Sequence, residues 1–289
     1  MVSTILQLII SGVAMGFIYA LVGIEFTIIY NASGLVNFAH DKFIMFAAYV
    51  FAGTFVLGLG LNPIISTILL FIVMALFGAL VAAGIFNPLR NMSSDIYAVM
   101  GTIMLAKILT EVARISWGPD PFTISGFLQG VVHVGNVVLP KANIYIIIVS
   151  LIIFIGLQMF FNNTKYGKAM RCVAQNKEAS AIVGINVPQI IQMSVALSAV
   201  ICGVIAILVI PLFNVDVNIA SMIGIKGFAA TVIGGFGNLF GNIIGGLFVG
   251  LLENAVVMIL PAVYKDTVAF VLLILFLLIK PEGILSKKS

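Results

Sequence analysis

The stretch TKYGKAMRCVAQNKEASAIVGINVP, residues 164–188, gathers Lys165, Lys168, Arg171, Lys177 and Glu178 in a chain of which only 8% is charged. Chemistry of this kind is ionic and surface-directed, suited to anionic lipid headgroups. Other ionisable residues stand apart. Glu25 in ALVGIEFTIIY and Glu253 in LFVGLLENAVV are flanked by apolar sequence on both sides. A carboxylate so placed can couple transport to an ion, or can sit near a span's end or pair with a polar group of the bundle. Asn37, His40 and Asp41 fall within NASGLVNFAHDKF, between two apolar segments. They read either as a turn at the membrane surface or as a half-helix terminus whose amide dipoles line a path for a charged or zwitterionic solute. Gly234, Gly235 and Gly237 in GGFGN raise a related question. Consecutive glycines expose backbone groups that must face protein or a water-filled path.

Several chemistries are excluded. The sequence contains no GxxxxGK[ST] phosphate loop, so the chain does not by itself bind and hydrolyse ATP in the usual way. Its two histidines, His40 and His133, lie in different loops without a cysteine or carboxylate pattern around them. Cys172 and Cys202 are far apart, with no CxxC. They suggest small apolar filler rather than a metal site or a disulfide framework. Catalysis, a metal and any other cofactor held by this chain are therefore not expected. Transport remains, with energy from an ion gradient or from another subunit.

The elements that must position these residues are membrane helices. Of 289 residues 62% are hydrophobic, and no Asp, Glu, Lys or Arg occurs over 43–89, 142–164, 179–215 or 227–252. A helical crossing needs about 20 apolar residues. The N-terminal run MVSTILQLIISGVAMGFIYALVGI lacks a basic flank and exceeds a signal core of roughly 7 to 15 residues, so it reads as a retained span. The fold class expected is an all-α polytopic membrane protein with eight or nine membrane-embedded helices, some broken or re-entrant. Their approximate positions are 5–30, 42–60, 62–86, 95–115, 144–161, 190–212, 219–236, 240–260 and 263–280. Breaks are expected at 31–60 and 219–240, where glycines and polar residues interrupt apolar sequence.

Arg90, the 165–177 cluster and the tail with Lys280, Lys287 and Lys288 carry the orientation signal. Lys and Arg are retained on the cytoplasmic side, and even numbers of spans between the three sites place all of them there. Residues 116–143, with the only Trp, then form an extracytoplasmic loop; nine crossings put the N-terminus outside as well. Within 164–188, Ala169, Cys172, Val173, Ala179, Ile182 and Val183 are roughly helically spaced, predicting a short surface helix. Gly237, Gly241 and Gly245 recur every four residues, and Gly12 and Gly16 do the same. Such stripes let two helix backbones approach closely.

Three motifs together resemble the permease subunits of ABC importers for branched-chain amino acids, a family that also contains urea and short-amide permeases. GLVNFAHDKFIMFAAY is similar to the family's early Gly-x-x-Asn-Phe-x-His segment through Gly34, Asn37, Phe38, His40 and Tyr49. In the loop, Thr164, Gly167, Ala169, Arg171, Asn176, Ala179, Gly184 and Ile185 follow the family's pattern. IGGFGNLFGNIIGG matches through Gly234, Gly235, Gly237, Gly241 and Gly245. The resemblance covers nearly the whole chain. It departs at Asp41 and Ala47, where glycine is usual, and at Cys172, where alanine is usual.

The resemblance implies a single transmembrane permease domain over 1–289, working with two cytoplasmic ATPase subunits, a paralogous permease or a second copy of itself, and an extracytoplasmic solute-binding protein. ATP and Mg would be bound by the ATPases, not by this chain. Residues 162–188 become the cytoplasmic coupling loop, with Gly167, Arg171, Asn176, Glu178, Ala179 and Gly184 toward the ATPase. Branched-chain amino acids are the expected cargo and urea or a short amide the alternative. From another class, an ion-coupled transporter or channel would need no ATPase.

Overall fold

A hydrocarbon layer offers backbone amides and carbonyls no water to bond, so a spanning segment must satisfy them internally. The apolar runs accordingly fold as helices. The computed structural model describes residues 2–89, 95–124, 126–134, 137–258, 261, 264–280 and 283–285. In chain order they form α1 (Val2–Ser33) and α2 (His40–Ala48), which continues as a π-helical segment Tyr49–Gly58. Next come α3 (Pro63–Val81), extended by a π-helical Ala82–Phe86 and the single turn α4 (Asn87–Leu89), and then α5 (Asp95–Trp117). The hairpin β1 (Val131–Val134) and β2 (Val137–Pro140) precedes α6 (Lys141–Asn163), α7 (Lys165–Gln175), α8 (Lys177–Ile182) and α9 (Val187–Val209). The chain closes with α10 (Ser221–Gly234), α11 (Leu239–Val256) and α12 (Lys265–Ile279).

Among the described residues seven helical stretches are long and apolar enough to cross a membrane: 4–33, 40–58, 63–89, 96–117, 141–163, 187–209 and 239–256. The apolar helices α10 and α12 are shorter, at 14 and 15 residues. The chain is thus an all-α polytopic membrane protein. The first break is narrower than expected: only 34–39 leave helical geometry, and the chain then stays helical from His40 to Gly58. Of the residues that suggested orientation, Arg90, Lys287 and Lys288 lie outside the described residues.

Helix starts follow side-chain capping, in which an Asn or Thr oxygen accepts from an otherwise unpaired amide of the first turn. Asn62, Thr164, Asn176, Asn186 and Asn238 cap α3, α7, α8, α9 and α11 respectively. Pro63 sits at the start of α3, where its missing N–H costs nothing.

Residues 1–27, 125–152 and 222–289 form one compact unit, and 28–124 and 153–221 form another. Glycines set the packing of the first. A Cβ on Gly246 would lie 2.6 Å from the Gly16 carbonyl oxygen, and one on Gly12 3.0 Å from the Gly250 carbonyl oxygen. The α1 and α11 backbones therefore touch at two levels, as small-residue stripes permit. On a neighbouring face of α11, Gly241 meets Gly234 and Gly245 meets Ala230, closing an α10–α11 hairpin. Gly237 is not part of this stripe: it lies in the turn, at φ +87°. The operative pairs on α11 are Gly241 with Gly245 and Gly246 with Gly250.

In the second unit α3 packs along α9. Gly78 admits Ala199 and the Val195 carbonyl, each 2.7 Å from where its Cβ would be. The Gln192 side chain donates to Ala79 O at 3.2 Å. At the other end of the α2 segment, Trp117 lies over Gly53 and donates its indole N–H to Thr54 Oγ1 at 3.1 Å.

Candidate functional site

The polar loop folds as two helices rather than the one expected. Buried Gly167, Met170 and Val173 give α7 its inward face, whereas Cys172 is exposed. A Cβ at Gly167 would run into the Phe160 carbonyl and Phe161 Cα, so only glycine lets α7 fold back against the end of α6. Gly167 is thus a packing residue between α7 and α6. Arg171 is exposed and donates to Asn162 Oδ1 at 3.1 Å. Asn176 ends α7 and caps α8, accepting from Ala179 N at 2.9 Å.

Beyond Asn176 the loop turns apolar and outward. Glu178, Ala179, Ala181 and Gly184 are exposed, with Ile182 at 86% and Val183 at 74%. Gly184 adopts φ +87°, a conformation that favours glycine, and reverses the chain into α9. One charge of the loop points inward: Lys177 Nζ donates to Ser33 O at 2.6 Å. Ser33 ends α1, so an ammonium sits on the negative pole of that helix. The loop is tied by this bond to the first break in the apolar pattern.

That break is not a simple surface turn. Phe38 N donates to Thr102 Oγ1 at 3.3 Å. Thr102 is seven residues into α5, about 10 Å along a helix rising 1.5 Å per residue. Asn37 is buried and its Oδ1 accepts from Ala39 N at 3.0 Å, while His40 Nδ1 lies 3.3 Å from Asn37 O. Asp41 and Lys42 follow, with Lys42 Nζ 3.1 Å from Asp41 Oδ2. Lys42 also donates to Val217 O at 3.0 Å and Ser221 Oγ at 3.2 Å, and Ser221 Oγ donates to Asp41 at 3.3 Å. The chain after α9 therefore folds back onto the start of α2. Lys42 and Ser221 escaped sequence reasoning; the adjacent opposite charges of Asp41 and Lys42 at the head of an apolar helix were the available signal.

The two glutamates separate in character. Glu25 is fully buried in α1. Glu253 is 2% exposed and held by a ring of partners: Lys226 at 2.7 Å, Lys265 at 3.1 Å and the Tyr19 hydroxyl, which donates at 2.7 Å. Lys226 also pairs with Asp266 at 2.6 Å and lies 5.8 Å from the Tyr19 ring centroid. A carboxylate so neutralised is a structural ion pair of the bundle, the alternative to ion coupling raised by its sequence context. Lys226 and Glu253 bracket the charge-free run 227–252, and the α10–α11 hairpin brings its two ends together.

The GGFGN turn is satisfied by protein. Gly235 N bonds to Thr231 O at 2.9 Å, while Ile284 N and Leu285 N donate to Ile233 O and Gly234 O at 2.8 and 3.2 Å. Asn238 Nδ2 donates to Leu285 O at 3.0 Å. Gly234 touches Gly241, and Gly235 and Gly237 supply positive φ values of +105° and +87°. These three glycines build a tight helical hairpin closed by the 283–285 segment. They belong to one compact unit with Glu25, and Asn37, His40 and Asp41 to the other.

Comparison with known proteins agrees over the full length. The chain is 30% identical to the high-affinity branched-chain amino acid transport system permease protein BraD of Pseudomonas aeruginosa, covering 98% of this chain and 96% of that one. It is equally 30% identical to LivH of Escherichia coli, of the same description and over the same shares. A probable branched-chain amino acid transport permease protein LivH of Methanocaldococcus jannaschii is 26% identical over 91% of this chain and 87% of that one. Among solved structures, a chain of PsaBC from Streptococcus pneumoniae in complex with Fab shares the fold, with TM-score 0.50 and 14% identity over 96% and 91% of the two chains. The model of the permease component of branched-chain amino acid transport systems matches residues 8–277, from α1 into α12. This multi-pass inner-membrane chain therefore belongs to the family of branched-chain amino acid transport system permease components.

Proposed function

We propose that the chain is the membrane-spanning subunit of an ABC importer that moves leucine, isoleucine, valine or a related small zwitterion into the cytoplasm. The observation that carries this reading is the end-to-end similarity to permease proteins of high-affinity branched-chain amino acid transport systems. Energy comes from ATP hydrolysed, with Mg, on two partner ATPases, and the chain itself binds no cofactor. A paralogous permease or a second copy completes the core, and an extracytoplasmic binding protein delivers solute.

The exposed apolar surface of Ala179, Ile182 and Val183 is the ATPase seat in this reading. Apolar side chains exposed to this degree on a polar loop are suited to a protein cleft, and the small residues beside them allow close approach. Glu178 and Arg171 stay solvated at the rim. The test is co-purification of the ATPases and substrate-stimulated ATP hydrolysis in reconstituted vesicles for Ala179→Trp and Gly184→Trp. Both should lose ATPase docking. Full co-purification and stimulation in both variants would refute the seat, whereas unaltered binding to anionic vesicles with no ATPase partner would mark the loop as a lipid contact.

A further inference from the structure

We propose that Asp41, Lys42 and Ser221 form a binding station inside the permease for the charged head of an α-amino acid, with the aliphatic side chain directed toward Phe46 and Tyr49. The proposal deepens the import reading and rests on it for the identity of the solute. Four observations carry it. First, the pair stands at a double break in helical structure: the segments 34–39 and 210–220 both leave helical geometry, and Lys42 bonds across from one to the other at Val217 O and Ser221 Oγ. Backbone that leaves helical geometry at membrane depth is tolerated where it is buried in protein or lines a path.

Second, the side chains of Lys42 and Asp41 keep 15% and 17% of their surface accessible, although they open an apolar helix whose next residues, Phe43, Ile44 and Met45, are fully buried. Third, Lys42 and Tyr49 are seven residues apart, hence on one face of the helix and about 10 Å apart along it. Tyr49 is fully buried and its hydroxyl makes no hydrogen bond. Fourth, aromatic side chains line that face beyond the folded-back segment's contacts with Lys42. Phe122, which bridges Val215, packs edge-on against Tyr49, and Phe46 meets Trp117. A polar head site thus adjoins an aromatic wall.

The chemistry matches a zwitterion. Lys42 and Asp41, 3.1 Å apart, neutralise each other, so no net charge is held in a medium of low dielectric. An incoming α-carboxylate takes the Lys42 ammonium and the α-ammonium takes Asp41. One ion pair becomes two, net charge stays zero, and the bonds to Val217 O and Ser221 Oγ are released. A solute with only one of the two charges would leave its partner's counter-charge unpaired, and a neutral amide would give neither residue a reason to let go.

The test uses the assembled transporter with Cys172 and Cys202 replaced and Ser221→Cys introduced. The rate of maleimide labelling is measured with leucine, with leucinamide, which lacks the carboxylate, and with 4-methylpentanoate, which lacks the ammonium. Leucine should slow labelling at least about threefold and the two analogues should leave it unchanged. Adding Lys42→Met should abolish protection, and Lys42→Arg should restore it. If Ser221→Cys fails to assemble, Phe46→Cys serves as the reporter. A labelling rate indifferent to leucine, or equal protection by all three solutes, overturns the station. ATPase co-purification on the same preparation tests the import reading separately, because a transporter that assembles and hydrolyses ATP yet shows no protection sinks only the station.

Discussion

Lys226→Met isolates the cost of breaking the ion-pair ring around Glu253. Lys226 and Glu253 are 7% and 2% exposed and 2.7 Å apart. At an effective dielectric constant of about 20 their attraction is roughly 6 kcal/mol before desolvation is counted. Removing one partner of a buried pair typically costs about 3–5 kcal/mol, because the survivor remains buried. Here Lys265, 3.1 Å from Glu253, offsets part of the loss, and Asp266, 43% exposed, can turn outward. The expected destabilisation is therefore near the lower end, about 3 kcal/mol, or more than a hundredfold in the folded-to-unfolded ratio. The double variant Lys226→Met, Glu253→Gln removes both charges and keeps an acceptor for the Tyr19 hydroxyl, so most of the loss should be recovered. Thermal unfolding of the purified permease in detergent measures the three states, and leucine uptake in vesicles measures function. Equal destabilisation of single and double variants would refute the pairing argument. A double variant that is stable but cannot transport would return Glu253 to the role of an ion-coupling carboxylate.

Gly246→Leu should prevent assembly, since even its Cβ would sit 2.6 Å from α1 backbone atoms, whereas Gly156→Leu, with nothing within 4 Å, should express normally; overpacking costs about 1–3 kcal/mol, and expression level with size-exclusion profile distinguishes the two. Lys177→Met removes the cation from the end of α1, a loss of about 0.3–1 kcal/mol in stability. If that bond transmits the state of the loop, substrate-stimulated ATP hydrolysis should fall while ATPase co-purification persists; unchanged stimulation would make the bond a passive cap. With Cys172 and Cys202 replaced, Asn176→Cys should react with impermeant maleimide only from the cytoplasm and Gln129→Cys only from outside; labelling of both from one side would overturn the charge-based orientation.

Membrane class, the all-α fold and family were legible in the residues alone, whereas the eight or nine embedded helices expected are, among the described residues, seven long enough to cross and two shorter apolar ones. In hydrocarbon a chain has few options beyond the helix, so the length of a charge-free run such as 43–89 or 179–215 translates directly into structure. The capping that starts α3, α7, α8, α9 and α11 is equally local, an Asn or Thr oxygen reaching an amide two or three residues on. Gly12, Gly16, Gly241 and Gly245 announced close contacts because only a missing Cβ allows them. The partners were not announced. That Gly16 meets Gly246, that Gly241 meets Gly234, and that Gly237 merely turns the chain depend on how helices cross. The same holds for Glu253, whose sequence context is identical whether its charge is free for coupling or held by a lysine 27 residues away. Asp41 and Lys42 show it most sharply. Their polarity was visible at the head of an apolar helix, but the Val217 carbonyl and Ser221 hydroxyl, 175 and 179 residues distant from Lys42, are delivered by the path of the chain after α9. Local periodicity carries no information about which distant backbone returns to a given depth, and only the packed bundle decides it.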